Sequence, residues 1–351
     1  MSVKAETIGR DHSLDMAKGL GILCIVLLHY ESGIIPVAVN TFIGSFMITM
    51  FYVSAGWLMA LRPPAPTSIF ARKRLVSIGL PYLYWGLIII AFDTLLWICG
   101  YYTWYTPVSD VYKFLVLNGI GTLWFLPALF IGEVTWCWFR RRPWWAVVAL
   151  FVAVEAFLQW YGHTFTGTFG YVVDTASEAS GKIMAAPFRT LYRASHAVIC
   201  VAGGYYFSLL LSPRLPSMSL AVKLCISFSL LVVAYVTTSI PVFSGPLAVA
   251  LWIFLCPILA PVGFIVLFRV VDRGPVMRYL DYWGRNSLSL MVTQYSIVMV
   301  LVAMALQYIF HCPLLGWVSV VAFVLMMPVQ YLITELLNRH FPQLLAKKKK
   351  R

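Results

Sequence analysis

The chain has 351 residues, of which 61% are apolar and 11% are charged, and its formal net charge is +13. An ordinary soluble domain carries about 25% charged residues, and the mean hydropathy of +0.84 also argues against a water-soluble enzyme. Disordered and coiled-coil proteins are excluded, because apolar residues are too abundant and no heptad pattern is sustained. The composition predicts an all-α, polytopic integral membrane protein. In such proteins an excess of Lys and Arg reports orientation, so no nucleic-acid partner is expected.

The apolar runs predict about ten transmembrane helices, since each span needs roughly 20 apolar residues. The predicted helices lie near residues 14–36, 41–61, 75–99, 119–139, 144–161, 190–211, 219–240, 246–268, 283–309 and 314–338. Together they form one membrane domain, residues 14–338. A short segment, residues 1–13, precedes this domain, and a basic tail, residues 339–351, follows it.

Basic residues are distributed unequally between the two sides of this arrangement. An even number of spans places both termini on one side, and 22 of the 26 Lys and Arg residues fall on that side. The other side keeps only Lys113, Lys182, Arg189 and Arg193. Because Lys and Arg are enriched in cytoplasmic loops, we predict that both termini are cytoplasmic.

The first predicted helix carries three ionisable residues near one face. Lys18 and His29 are eleven residues apart, about 16 Å along a helix axis. Eleven steps of 100° return to within about 20° of the starting direction, and Asp15 falls within about 40° of the same line. Ionisable residues inside spans are rare and mostly functional, and a neutral imidazole can act as a general base. A neutral imidazole that only bonds a neighbouring helix is the alternative for His29.

No metal site is predicted. The seven cysteines are scattered, without a C-x-x-C pair or another metal-ligand spacing. Most lie within apolar runs, where cysteine packs as a small hydrophobic residue. Two acidic residues inside predicted spans, Glu133 and Glu155, have no partner that the sequence identifies.

A second group of ionisable residues opens the sixth predicted helix. Arg189, Arg193 and His196 are spaced by four and three residues, which places them on one helix face. They lie on the side where positive charge is rare, so orientation does not explain them. One hypothesis is a site for an anionic glycan or a lipid-pyrophosphate carrier. The other is ion pairing with Asp174 or Glu178 of the preceding loop.

Five short segments, taken together, carry a resemblance to a known family. In chain order they are Asp15-x-x-Lys18-Gly19 with His29 ten residues further on, MFYVSAGWL at 50–58, FARKRL at 70–75 before Pro81-Tyr82, LWFL at 123–126 and Gly284-x-Asn286-Ser287-Leu288. Their order and spacing cover residues 15–294. The chain resembles the acyltransferase 3 family of integral-membrane acyltransferases, and within it the fucose-4-O-acetylase-like, polysaccharide-modifying branch.

The resemblance implies a multi-pass enzyme of the bacterial cytoplasmic membrane. Such an enzyme moves an acyl group, usually acetyl from acetyl-CoA, to a sugar hydroxyl of a cell-surface or exported glycan. The implied partners are acyl-CoA as donor substrate, a saccharide or lipid-linked glycan as acceptor, the lipid bilayer and glycan-assembly proteins. No bound cofactor is implied.

His29 and Asp15 are the catalytic residues that the resemblance implies. His29 acts either as a general base towards the acceptor hydroxyl or as a nucleophile that carries the acyl group. Tyr52 and Ser54 are assigned to support of the transition state through hydrogen bonds to the developing oxyanion. The alternative for Tyr52 and Ser54 is that they merely bridge helices.

Donor binding is assigned to basic residues on the cytoplasmic side. Lys18, Arg72, Lys73 and Arg74 would bind the phosphates of CoA through charge-assisted hydrogen bonds. The distance from Lys18 to His29 is comparable to the reach of an extended pantetheine arm. For any single residue among Arg72, Lys73 and Arg74, simple retention of positive charge on the cytoplasmic side is the alternative.

Two positions depart from the family's pattern. Ser77 stands where many members carry a second arginine, and Gln294 stands where many members carry a histidine. Gln294 is assigned to acceptor binding, with Arg189, Arg193 and His196, because its amide can hydrogen-bond a substrate. The departure at Gln294 gives weight to an alternative function, a transporter or flippase for a glycan or lipid-linked saccharide without acyl-transfer chemistry.

Overall fold

The computed structural model describes residues 10–30, 33–166, 179–239, 246–271, 274–308, 311 and 316–347. These described residues are mostly helical and contain no β-strand. The predicted all-α fold is therefore confirmed for this part of the chain.

Long helices alternate with short ones along the described chain. The α-helices are α1 (His12–Tyr30), α2 (Val37–Phe46), α3 (Thr49–Leu61), α4 (Thr67–Arg74), α5 (Leu80–Ile98), α6 (Tyr105–Leu115), α7 (Phe125–Phe139), α8 (Trp144–Tyr161), α9 (Ala179–Leu211), α10 (Leu220–Ser239), α11 (Pro246–Leu267), α12 (Pro275–Arg285), α13 (Ser287–Thr293), α14 (Val300–Tyr308) and α15 (Trp317–His340). Three π-helical segments, Leu75–Gly79, Gly162–Thr166 and Gln294–Met299, and three 3₁₀ turns, Gly121–Trp124, Leu215–Ser217 and Pro342–Leu345, complete the helical elements.

Nine helical segments within the described residues are long and apolar enough to cross a membrane. They coincide with nine of the predicted spans. The remaining prediction, near 246–268, coincides with α11, whose described apolar part is Pro257–Leu267. The multi-pass helical architecture expected from the apolar runs is confirmed.

Three helices, α4, α6 and α12, lie wholly or mostly outside the predicted spans, because each is too short and too polar to form a span. In α6, Asp110 is buried and its Oδ1 lies 3.0 Å from the Lys113 Nζ. The helix α12 separates from the following span at Asn286, which leaves the helical conformation and whose side-chain amide donates to the Tyr282 carbonyl. The span predicted from residue 283 therefore begins at Ser287.

The described chain divides into two compact units. The first unit comprises the described parts of Met1–Ile25, Ala38–Pro64 and Ala202–Ser287. The second unit comprises those of Val26–Val37, Ala65–Val201 and Leu288–Arg351.

In the first unit, α12 crosses the beginning of α1 with the two backbones in contact. A Cβ atom placed on Gly284 would lie 1.7 Å from the Asp15 carbonyl oxygen. A Cβ atom on Gly19 would lie 1.9 Å from the Leu280 carbonyl oxygen. Since real Cβ atoms do not approach so closely, this crossing requires glycine at both positions, which belong to the first and last of the five segments. The helices α10 and α11 pack along each other, and α11 also packs on α3.

In the second unit, α7 packs against both α4 and α8. Gly132 of α7 also meets α9, because a Cβ on Gly132 would lie 2.7 Å from the Ala197 Cβ. The 3₁₀ turn Gly121–Trp124, called the Trp124 segment below, packs on the π-helical Gln294–Met299, called the Gln294 segment. These two short segments lie beside the end of α1 that carries His29.

Candidate functional site

The imidazole of His29 is half-buried in the second unit and contacts two consecutive residues of the Gln294 segment. Its Nδ1 lies 3.0 Å from the side-chain nitrogen of Gln294. Its ring centroid lies 4.7 Å from that of Tyr295, with the planes inclined by 48°. Gln294 is fully buried, whereas Tyr295 is 41% exposed. A buried neutral amide and an accessible aromatic ring therefore flank His29.

Close packing of the Trp124 segment supports this arrangement. Gly121 has a positive φ of 52°, and a Cβ there would lie 2.4 Å from the Ser296 Oγ and 2.9 Å from the Tyr295 ring. The Thr122 hydroxyl donates to the Met291 carbonyl at 2.6 Å, just before the helix becomes π-helical. Isolated π-helical turns within helices are frequent at functional sites. The backbone that presents Gln294 and Tyr295 to His29 is thus held from outside its own helix.

Arg193, on α9, contacts the other end of the Trp124 segment. Its guanidinium carbon lies 4.3 Å from the centroid of the Trp124 ring, which is cation–π geometry. Its Nη1 donates to the backbone and side-chain oxygens of the buried Asn118, at 3.2 and 3.1 Å. A continuous series of contacts therefore runs from Arg193 through the Trp124 segment to Tyr295 and His29. Among the predicted site residues, the structure brings His29, Gln294 and Arg193 together in this way.

The other residues of the predicted acceptor group lie on the same helix. Arg189 is half-buried on α9. His196 is also half-buried, with its ring edge-on to Tyr192 at 4.8 Å between centroids. Asp174 and Glu178, the alternative ion-pair partners, lie outside the described residues. The assignment of this face to the acceptor stays a prediction, and so does the pairing alternative.

Asp15 is buried in the first unit and is bound by two cations. Its carboxylate lies 2.7 Å from the Lys18 Nζ and 2.5 Å from the Arg10 Nε. Asp15 precedes His29 by fourteen residues, about 21 Å along the axis of α1, so its carboxylate does not touch the imidazole. Arg10 and Lys18 carry two positive charges and Asp15 carries one negative charge, so this group has a net charge of +1 at the beginning of α1.

Tyr52 and Ser54 are both buried on α3, in the first unit. The Ser54 hydroxyl has no hydrogen-bond partner among the described residues. Their support of the transition state stays a prediction.

Arg74 and Glu133 form a bidentate ion pair between α4 and α7. The Arg74 Nη2 donates to Glu133 Oε1 at 2.5 Å, and its Nε donates to Oε2. Glu133, for which the sequence identifies no partner, is only 3% exposed. Arg74 therefore has a carboxylate partner within the protein in addition to any role in donor binding.

Arg72 and Lys73 are exposed on α4, in contrast to their neighbour Arg74. With Ile69 and Val76 they line an open cavity of about 470 Å³. These four residues are spaced at three, one and three positions, so they share one helix face. Arg72 and Lys73 are thus more accessible to solvent than Arg74.

Tyr295 and Asn118 are residues of the site that sequence reasoning missed. Tyr295 directly follows Gln294, but adjacency in a helix does not imply a shared contact, because successive side chains differ in direction by about 100°. Asn118 lies 75 residues before Arg193, and no spacing rule relates the two. Within the described residues, no group of three or more His, Cys, Asp or Glu side chains is arranged to hold a metal ion.

The sequence matches the model of the acyltransferase 3 family, described as an acyltransferase domain, over residues 11–335. The match covers nearly the whole chain and includes all five segments that carry the resemblance. Searches of curated proteins and of solved structures gave no significant match.

Proposed function

Because the chain belongs to the acyltransferase 3 family, we propose that it is a membrane O-acyltransferase that moves an acetyl group from acetyl-CoA to a sugar hydroxyl of a cell-surface or exported glycan. Family membership supports acyltransferase activity in general. The acetyl-CoA donor and the glycan acceptor are what we propose in addition. The observation that carries it is His29, an imidazole inside a membrane span that contacts a buried amide and an accessible aromatic ring. We place the enzyme in the bacterial cytoplasmic membrane, with both termini cytoplasmic.

In the proposed reaction, His29 takes the proton of the acceptor hydroxyl while the hydroxyl oxygen attacks the thioester carbonyl. The carbon–sulfur bond then breaks, and the proton passes from the imidazolium to the departing CoA thiolate. The products are a sugar ester and free CoA thiol. In the alternative route, a nitrogen of His29 first accepts the acyl group and then delivers it to the sugar. Both routes require a ring nitrogen that carries a lone pair.

The donor is expected to bind from the cytoplasmic side. Lys18 precedes His29 by about 16 Å along α1, so a pantetheine arm that starts near Lys18 would bring its thioester to the imidazole. The accessible Arg72 and Lys73 of the second unit are also proposed to bind phosphate oxygens through charge-assisted hydrogen bonds. Arg74 is a weaker candidate than these two, because Glu133 already binds it.

The acceptor is expected to bind along the series of contacts from Arg193 to Tyr295. An exposed tyrosine and a tryptophan offer apolar ring faces with polar edges, which suit the mixed surface of a sugar. The guanidinium of Arg193 suits an anionic substituent or the pyrophosphate of a lipid carrier. A saccharide or a lipid-linked glycan is therefore the proposed acceptor class.

Mass spectrometry of surface glycans tests this function. A strain that lacks the gene should lose an acetyl mass from one glycan, the wild-type gene should restore it, and His29→Gln at equal membrane level should not. Unchanged glycan acylation in the deletion strain would contradict the proposal. Loss of an entire exported glycan, with no change in acylation of what remains, would instead favour a transporter or flippase.

A further inference from the structure

We propose that Gln294 is the positioning residue of His29: its side-chain carbonyl accepts a hydrogen bond from the Nδ1–H group, so that Nε2 is the reactive nitrogen. This inference rests on the proposed function and deepens it, because it names the atom at which the chemistry occurs. It also gives Gln294 a role different from acceptor binding.

The side-chain amide of Gln294 contacts the Nδ1 atom of His29. The Gln294 side chain is fully buried and has one nitrogen 3.0 Å from the His29 Nδ1, while its Oε1 has no partner among the described residues. Rotation of the amide by 180° exchanges its nitrogen and oxygen with almost no change in shape. Either orientation leaves one amide atom without a partner in the described protein. The other contacts of the amide therefore do not distinguish the two orientations. The position of the proton on the His29 ring does.

The two orientations select different tautomers of the imidazole. A neutral imidazole carries one N–H group. If the amide nitrogen donates to Nδ1, the proton lies on Nε2, and Nε2 is then unable to accept another. If the amide oxygen accepts from Nδ1–H, the lone pair lies on Nε2. The second orientation is the one that leaves a base, or a nucleophile, on the ring edge away from Gln294.

The same orientation also fits the protonated ring that the reaction forms. Both nitrogens of an imidazolium are donors, so an amide N–H group directed at Nδ1 would oppose proton uptake. A carbonyl oxygen in that place accepts equally well before and after the proton arrives. Catalysis at His29 therefore favours the carbonyl-accepting orientation throughout the cycle.

An amide can do this without placing a permanent charge in the membrane. The usual partner that fixes a catalytic histidine is a carboxylate, but a carboxylate as buried as Gln294 would be costly inside a span. Within the described part of the chain, no acidic side chain contacts His29. Gln294 provides the acceptor geometry of a carboxylate while the site stays uncharged at rest.

Nitrogen NMR of the full-length protein in nanodiscs, with ¹⁵N-labelled histidine, reads the tautomer directly. The His29 signals are assigned by their loss in His29→Gln. We expect Nδ1 to be protonated and Nε2 to be unprotonated in the wild type, and Gln294→Leu to lose this preference. Gln330→Leu is the matched control, because Gln330 is equally buried but bonds Thr293 rather than His29. A wild-type ring with its proton on Nε2 overturns the inference.

Kinetics provide the second measurement. Gln294→Leu should lower kcat by roughly 100-fold, the lower range for loss of a general base, while the KM for the donor and the rates of Gln330→Leu stay near wild type. Gln294→Glu should be more active than Gln294→Leu at higher pH, since its ionised carboxylate accepts a hydrogen bond from Nδ1–H. The acidic limb of its pH profile should lie at higher pH than that of the wild type. Equal kcat values and pH profiles for wild type, Gln294→Leu and Gln294→Glu would overturn the inference.

The NMR measurement needs no substrate, which separates this inference from the proposed function. A His29 ring protonated at Nδ1, in a protein that transfers no acyl group, would contradict the function and still support positioning by Gln294. The wild-type spectrum decides the tautomer by itself, so the result does not depend on whether Gln294→Leu folds.

Discussion

At the scale of single residues, the ion pair between Arg74 and Glu133 has the clearest energetic consequence. The two residues are 59 positions apart, and Glu133 is almost completely buried inside a span. A buried carboxylate that loses its partner keeps its desolvation cost without the compensating attraction. The pair is therefore expected to stabilise the packing of α4 on α7, whatever else Arg74 does.

Arg74→Gln should destabilise the protein by about 3 kcal/mol, the lower end of the range for breaking a buried pair, since Arg74 is itself partly exposed. The double variant Arg74→Gln with Glu133→Gln should recover much of the loss, because no charge is then left unpaired. Thermal unfolding in detergent measures both. The control is Arg72→Gln, an exposed neighbour. An Arg74→Gln protein as stable as this control, but with a raised donor KM, would assign Arg74 to the donor site instead.

Arg193 allows a separate test of the acceptor side. Arg193→Gln should weaken transfer to the glycan and leave acyl-CoA hydrolysis intact, because the hydrolysis at His29 does not need the acceptor. Added salt should reduce acceptor use more in the wild type than in the variant, because mobile ions screen the attraction between Arg193 and an approaching anionic acceptor. Asn118→Ala, which removes one partner of Arg193, should weaken transfer in the same direction.

The competing explanation for Arg193 is a purely structural one. If it only holds α9 in place, transfer, hydrolysis and the melting temperature of Arg193→Gln should all fall together. Parallel assays of the three quantities on one preparation separate the two outcomes.

At the scale of helices, the sequence predicts spans well and their contacts poorly. The apolar runs locate the spans because about 20 consecutive apolar residues are needed to cross the bilayer. No such rule finds α12, which is short and amphipathic, or the 3₁₀ turn at Trp124. The contact between His29 and Gln294 joins residues 265 positions apart, and helical periodicity carries no information at that distance. His29, Gln294 and Arg193 were predictable as site residues, whereas the contacts that they make were not.

The crossing of α1 and α12 gives the element-scale prediction. Gly284→Ala would place a methyl group within 1.7 Å of the Asp15 carbonyl oxygen, so one backbone must move. We expect a loss of about 3 kcal/mol, the upper range for overpacking, or failure to accumulate in the membrane. Gly274→Ala at the other end of α12 is the control, because its added methyl group meets nothing within 4 Å. Equal stability of the two variants would show that this crossing is not tight.

At the scale of the whole molecule, the asymmetry of Lys and Arg predicts the direction in which the chain crosses the membrane. The donor is cytoplasmic in the proposed function, so the basic ends of α1 and α4 must face the cytoplasm. The acceptor-side residues Arg189 and Arg193 must then lie towards the outer surface. Topology is thus a condition that the proposed function has to meet.

Cys99, an exposed residue at the end of α5, tests this orientation. In a variant that keeps only this cysteine, a membrane-impermeant maleimide should label Cys99 in intact cells. A second variant lacks all native cysteines and carries Arg141→Cys, in the connection between α7 and α8. It should be labelled only after permeabilisation. The reverse pattern would place the termini outside and contradict donor binding at Lys18.

In the proposed function, His29 performs acyl transfer from acyl-CoA. The most direct measurement is the release of free CoA thiol from acetyl-CoA by the purified protein in nanodiscs, with and without an acceptor glycan. The control is His340→Gln, because His340 is an exposed histidine at the end of α15. We predict that wild type and His340→Gln release CoA at equal rates, and that His29→Gln, at the same melting temperature, releases none above background. Release of CoA by folded His29→Gln at the wild-type rate would contradict acyl transfer by His29.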